Sequence, residues 1–189
     1  AVRYYLVSSC LFVHRKLLKN QGGSKECASM MIHGGLELDT HNSDDKLVKD
    51  YLDQLKNFFR EEEDANNSDI SKSLFLSIYN ELFSEDIDSV SFDDLLKNIK
   101  AIIDENQIRL VVVNADKRKG RSSIPDVKWS KSKFWIVTGG HGLSRGYVVE
   151  GLITTWMPRQ AARLTADTIE QLGRFFGYHN KFSDLIRIF

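Results

Sequence analysis

Two arginines in glycine-rich settings carry the chemistry that this chain offers. Arg145 lies in Gly139-Gly140-His141-Gly142-Leu143-Ser144-Arg145-Gly146, and Arg174 in Gln171-Leu172-Gly173-Arg174-Phe175-Phe176-Gly177-Tyr178. Glycine lets a backbone come close to a ligand, and the arginine fork fits phosphate oxygens in pairs. The first cluster has four glycines in eight residues, more than a structural turn needs. Its backbone N–H groups, Ser144 and Arg145 could donate to phosphate. In the second cluster, Arg174 closes a helix. It either complements the helix dipole or reaches a nucleotide as an arginine finger. The two arginines are 29 positions apart and together suggest a phosphate-handling surface.

Other chemistry has weaker support. The sequence has no Gly-x-x-x-x-Gly-Lys-Ser/Thr, so the usual phosphate loop cannot be built from it. Any ATP site would need a second lobe to bring the nucleotide. Asp126-Val127-Lys128, with Asp104 upstream, has a form that a magnesium-dependent nuclease could use, but such triplets are common. His33 reads equally as a site residue at a strand end or as a satisfied core histidine. His179 could donate to phosphate or sit on the surface. Lys117-Arg118-Lys119-Gly120-Arg121 is a solvated loop or a nucleic-acid backbone contact.

These residues need elements to position them. Residues 2–19 read as a buried helix stopped by Gln21-Gly22-Gly23. Ser29-Met30-Met31-Ile32 reads as a buried strand running into His33-Gly34-Gly35. A helix capped by Ser43 carries Leu47, Val48, Tyr51, Leu52, Leu55, Phe58 and Phe59 on one face. Residues 61–69 read as a polar linker, followed by helices over 71–83 and 91–105, the latter capped by Ser91. Residues 61–106 together read as an acidic helical insertion. Strands are expected at 108–113, 134–137, 152–156 and 185–189, with a helix from Thr165 to Phe175. Alternating strands and helices predict a parallel sheet with helices on both faces. Ligands bind such sheets beyond the carboxyl ends of the strands. His33, Asn114 and Gly139-Gly140 should therefore gather along one edge.

The chain has 189 residues, 26 basic and 26 acidic, and 42% hydrophobic residues, enough for one domain with a sizeable core. The charge is segregated. Residues 1–36 carry 5 basic and 1 acidic side chains, 37–106 carry 7 and 19, and 107–189 carry 14 and 6. Both glycine–arginine clusters thus lie in a block of net charge +8, which suits phosphate or nucleic acid. Cys10 and Cys27 match no metal spacing or disulfide framework, pointing to a reducing, cytoplasmic setting. The apolar run Tyr4 to Val13 is too short to span a membrane. The start at Ala1 without Met, and a stop within the apolar pattern at Phe189, lead us to expect a fragment of a longer protein.

The order of these motifs resembles the second RecA-like lobe of superfamily-two helicases. A strand leads to an Arg-Gly loop, a second strand ends in Pro158, and a helix ends in Gln-x-Gly-Arg. More closely, the chain resembles the Z1 domain family, ascribed to endonucleases of bacterial restriction-like and defence-like systems in which the domain accompanies a helicase-type ATPase lobe. Ser29 to His33, Gly139-Gly140, Leu143 to Gly146, Glu150-Gly151-Leu152, Gln171 to Tyr178 and Asp184 to Ile188 carry the likeness.

The resemblance implies a RecA-like, P-loop-NTPase-like fold and a translocase or remodeller acting on nucleic acid, DNA by preference. It implies ATP and Mg2+ as cofactors, complete only with an N-terminal ATPase lobe of the same protein, and no membrane partner. Arg174 and Gln171 would be catalytic, with Gly173, Arg145 and Gly146 beside the nucleotide. His33, Gly139, Gly140, His141, Ser144 and Arg145 would face the nucleic acid. Two positions depart from the pattern. Gly177 stands where helicases carry a second arginine, and His179 where the Z1 pattern has arginine. A non-catalytic nucleic-acid or partner-binding module, and a metal nuclease using Asp126 and Lys128, are the competing readings.

Overall fold

A computed structural model describes residues 1–18, 27–33, 38–65, 69–83, 90–113, 126–140, 143, 147–157 and 182–189. In chain order these form α1 (Val2–Leu18), β1 (Ala28–His33), α2 (Leu38–Asp64), α3 (Asp69–Leu82), α4 (Phe92–Asp104), β2 (Ile108–Val113), β3 (Phe134–Gly139), β4 (Leu152–Trp156) and β5 (Arg187–Ile188). The strands make one sheet in the order β2-β3-β1-β4-β5, every pair parallel. The three central strands are buried almost throughout, which is why they read as apolar runs rather than alternating patterns.

α1 is the hub. Nine consecutive residues, Tyr4 to Phe12, are buried, so the helix has no solvent face. On one side it lies on β1 and β4, and on the other it meets α3 and α4. Residues 61–106, read from sequence as an acidic insertion, supply Phe75, Tyr79, Leu95, Ile99 and Ile103 to the core that contains α1 and the sheet. Most of their described acidic residues are exposed, and their apolar residues cover what α1 would otherwise expose.

Tyr5 ties α1 to the sheet. Its hydroxyl donates to the Ala28 carbonyl at 3.0 Å and accepts from the Trp135 N–H at 3.0 Å, bridging β1 and β3. Tyr5→Phe removes both bonds without opening a cavity and orphans a buried donor. We expect a loss of about 1–3 kcal/mol, read from the denaturant midpoint at unchanged slope. An unchanged midpoint would show that the hydroxyl is dispensable.

Three helix boundaries differ from the sequence reading. α2 begins at Leu38, five residues before Ser43, and continues to Asp64 through the stretch read as a linker. The acidic run Glu61-Glu62-Glu63 looked solvated, yet Glu62 is buried. Its Oε1 accepts the N–H groups of Ile70 at 3.0 Å and Ser71 at 2.8 Å, and its Oε2 accepts the Ser71 hydroxyl. One carboxylate from α2 thus satisfies the first turn of α3, where helix N–H groups have no partner of their own. α3 accordingly starts at Asp69 rather than at 71. Leu47, expected on the buried face of α2, is 58% exposed, while Val48, Leu55 and Phe59 form that face. Ser91 caps α4 as read, accepting the Asp94 N–H at 3.1 Å.

The crossovers use both faces. β1 reaches β2 through α2, α3 and α4 on the α1 side. The links from β2 to β3 and from β3 to β4 bring Trp129, Leu143 and Val149 onto the other face, against Met31, Trp135 and Val137. The direction of travel through the sheet reverses after β2 and the face reverses with it, as right-handed crossovers require. The described α-helices all lie on the α1 side. The helix expected over 165–175 lies outside the described residues.

Candidate functional site

All five strands run the same way, so their carboxyl ends share one rim. Val113, Gly139 and His33 stand in register across β2, β3 and β1, and Ile32 is paired with Trp156 of β4. The expected gathering of His33 with the end of β3 is therefore present. Asn114 lies outside the described residues. The chain leaves β1 toward the β2 edge and β4 toward the β5 edge. The topological switch, where sheets of this kind open a crevice, thus falls between β1 and β4. His33, half-buried, and Trp156 flank it.

The loop that contains Arg145 starts at this rim and is fastened at both ends. At the front, the Leu143 N–H bonds the Gly140 carbonyl at 2.9 Å, and the fully buried Leu143 side chain lies over Gly139. A Cβ on Gly139 would stand 2.4 Å from the Val113 carbonyl oxygen and 3.0 Å from Leu143. Packing against β2 and Leu143 is therefore a sufficient reason for glycine here, before any ligand is considered. At the back, Gly151 adopts φ +64°. The Glu150 carbonyl accepts the Ser29 hydroxyl at 2.6 Å and the Cys27 thiol at 3.3 Å, and the Gly151 carbonyl accepts the Ser29 N–H at 2.7 Å. This back clasp was not foreseen as a structural device. Its signal was the Glu150-Gly151 pair just ahead of an apolar strand.

His141, Ser144, Arg145 and Gly146 lie outside the described residues, as do Gln171, Gly173, Arg174, Lys117 to Arg121 and His179. Of the candidate site residues, the rim holds His33, Gly139 and Gly140. It also holds two side chains that the sequence did not flag. Thr155, one position before Trp156, is 1% exposed, and its hydroxyl has no hydrogen-bond partner among the described residues. Trp156 is half-buried against the α1-side core.

The nuclease constellation does not assemble. Asp104 ends α4 on the α1 side, 4.0 Å from Arg60. Asp126 lies by Tyr147 on the opposite face, where burial first and the Asp126 charge second push the Tyr147 phenol upward. Among the described residues, no three His, Cys, Asp or Glu side chains are placed to hold a metal ion.

A family model described as the Z1 domain matches residues 1–189. The chain belongs to the Z1 domain family. No curated protein and no solved structure matches it. In this Z1 domain Cys10 and Cys27 are both buried and neither is in a disulfide, and burial pushes the Cys10 thiol up to about 12, so it stays protonated near neutral pH. Among the described residues, no helix is long and apolar enough to cross a membrane. A cleft of 270 Å³ opens at the far edge of the sheet, between α2, α4 and β2, lined by Leu52, Lys56, Ile103 and Leu110 among others. It contains none of the rim residues.

Proposed function

We propose that this Z1 domain is the second, RecA-like lobe of a split ATPase that translocates on or remodels nucleic acid, DNA by preference, inside a cytoplasmic endonuclease system. The observation that carries this reading is the rim. The strand ends align there, the switch point falls between β1 and β4, and the Arg145 loop leaves β3 fastened at both ends. Membership of the Z1 family and the +8 charge of residues 107–189 support the same reading.

In this scheme Arg145, Ser144 and His141 contact the nucleic-acid backbone beside His33. Arg174, set by Gln171 and Gly173, meets the nucleotide across the interface between lobes, with Gly146 and Arg145 on the nucleotide side of the loop. On this reading ATP is bound by an N-terminal lobe of the same protein, since this sequence has no phosphate loop, and Mg2+ would arrive with that nucleotide. When bound, the metal neutralises developing phosphoryl charge.

Comparing the isolated 1–189 chain with the full-length protein tests the division of labour. We expect no ATP hydrolysis from the isolated chain, and hydrolysis stimulated by nucleic acid from the full-length protein. Nucleic-acid binding without any hydrolysis by the full-length protein would instead identify a binding module.

A further inference from the structure

We infer that the outer edge of β2 and the cleft beside it form a docking site for an extended peptide that carries aliphatic side chains among acidic ones. The inference is independent of the roles proposed above, since the cleft contains none of the rim residues. Every residue that lines it is described. Its floor is aliphatic: Leu52 of α2, Ile102 and Ile103 of α4, and Ile108 and Leu110 of β2. β2 is an end strand of the sheet, six residues long and in unbroken register with β3. It holds no proline and one charged residue, Arg109. Natural edge strands are commonly shortened, bulged or charged, because a regular apolar edge offers its unpaired N–H and C=O groups to an added strand. A partner strand paired to β2 would send alternate side chains to the cleft side, beside Ile108 and Leu110.

Charge selects the partner. The cleft wall carries Lys49 and Lys56 from α2 against one carboxylate, Asp53. Lys56 is half-buried, and its ammonium donates to two neutral oxygens, the Asp104 carbonyl at 2.6 Å and Asn106 Oδ1 at 3.4 Å. Among the described residues neither lysine forms an ion pair. An ammonium partly withdrawn from water and met by neutral dipoles gains from an added carboxylate. Arg109, exposed and in register with Trp135 of the opposite face, also forms no ion pair among the described residues. A strand added to β2 thus passes between cations on both faces, with an aliphatic floor on one. The chemistry that fits is an extended segment with aliphatic side chains two positions apart, flanked by glutamate or aspartate.

The test uses the full-length protein and a fluorescent decapeptide with two leucines two positions apart among glutamates. A control peptide has lysines in place of the glutamates. Anisotropy measures affinity, and hydrogen exchange reads the β2 amides. We expect the acidic peptide to bind about tenfold or more tightly than the basic one, and exchange over 108–113 to slow when it is bound. Lys49→Gln together with Lys56→Gln should weaken its binding roughly three- to thirtyfold. Lys49→Gln alone, at an exposed position, should give part of that loss at an unchanged denaturant midpoint, which separates lost charge from lost folding. Failure of the acidic peptide to bind at about 1 mM, equal binding of both peptides, or binding without protection of β2 overturns the site. So does β2 protection that grows with protein concentration alone, which assigns the edge to a second copy. ATP hydrolysis enters none of these outcomes, so the proposed function stands or falls separately.

Discussion

Replacing Arg174 with alanine in the full-length protein is expected to lower nucleic-acid-stimulated ATP hydrolysis on the order of a thousandfold, while ATP affinity changes little. The asymmetry follows from where charge sits. In the ground state the phosphates are held by the lobe that carries the phosphate loop. An arginine supplied from outside that lobe counts most when charge spreads over the transferring phosphoryl group. Its removal therefore lowers turnover rather than binding. Arg174→Lys should rescue little, since a compact ammonium cannot reproduce the planar fork that grips two oxygens. Steady-state turnover, measured beside equilibrium binding of a nucleotide analogue, decides the matter. Near-normal turnover in the alanine variant would reduce Arg174 to a helix-terminal charge. Weakened binding with proportionate turnover would make it a ground-state ligand.

The fold was largely legible because its signals are strong and local. β2 and β4 were read at their observed limits, since each is a run of β-branched or aromatic residues with clear punctuation. Ser91 was legible as a cap because acidic residues follow it directly. What escaped was tertiary. Glu62 sits in a run of acids that any sequence reading assigns to solvent, and only α3 folding back on α2 buries it. The helix α4 was expected, but its partner was not: α1, buried over nine consecutive residues, demands a cover on the side away from the sheet. At the site, the glycines at the end of β3 drew attention as a ligand feature, yet the atoms around Gly139 show that close packing alone calls for glycine.

Gly151→Ala is expected to be the most damaging single substitution in the described part of the chain. The backbone at Gly151 is left-handed, which costs an L-residue about 1–2 kcal/mol before any contact is considered. The added Cβ would also stand 1.6 Å from the Cys27 carbonyl oxygen and 2.6 Å from its carbon. No side chain can rotate away, because the obstruction is the backbone entering β1. Either β1 or the 150–151 turn must move, and the bonds from Ser29 and Cys27 to Glu150 and Gly151 go with it. Their loss leaves buried polar groups unsatisfied, so the combined cost should reach about 4 kcal/mol or more. For a chain of this size that corresponds to a fall in Tm of roughly 10 °C. Gly139→Ala meets a gentler obstruction, 2.4 Å from a carbonyl oxygen, and should be the milder of the two. A thermal or denaturant melt of both variants checks the ranking, and an alanine at 151 within about 0.5 kcal/mol of wild type would refute the geometry. Ser29→Ala, which removes only one bond to Glu150, should cost much less stability than Gly151→Ala, and under the proposed function it should also weaken nucleic-acid binding.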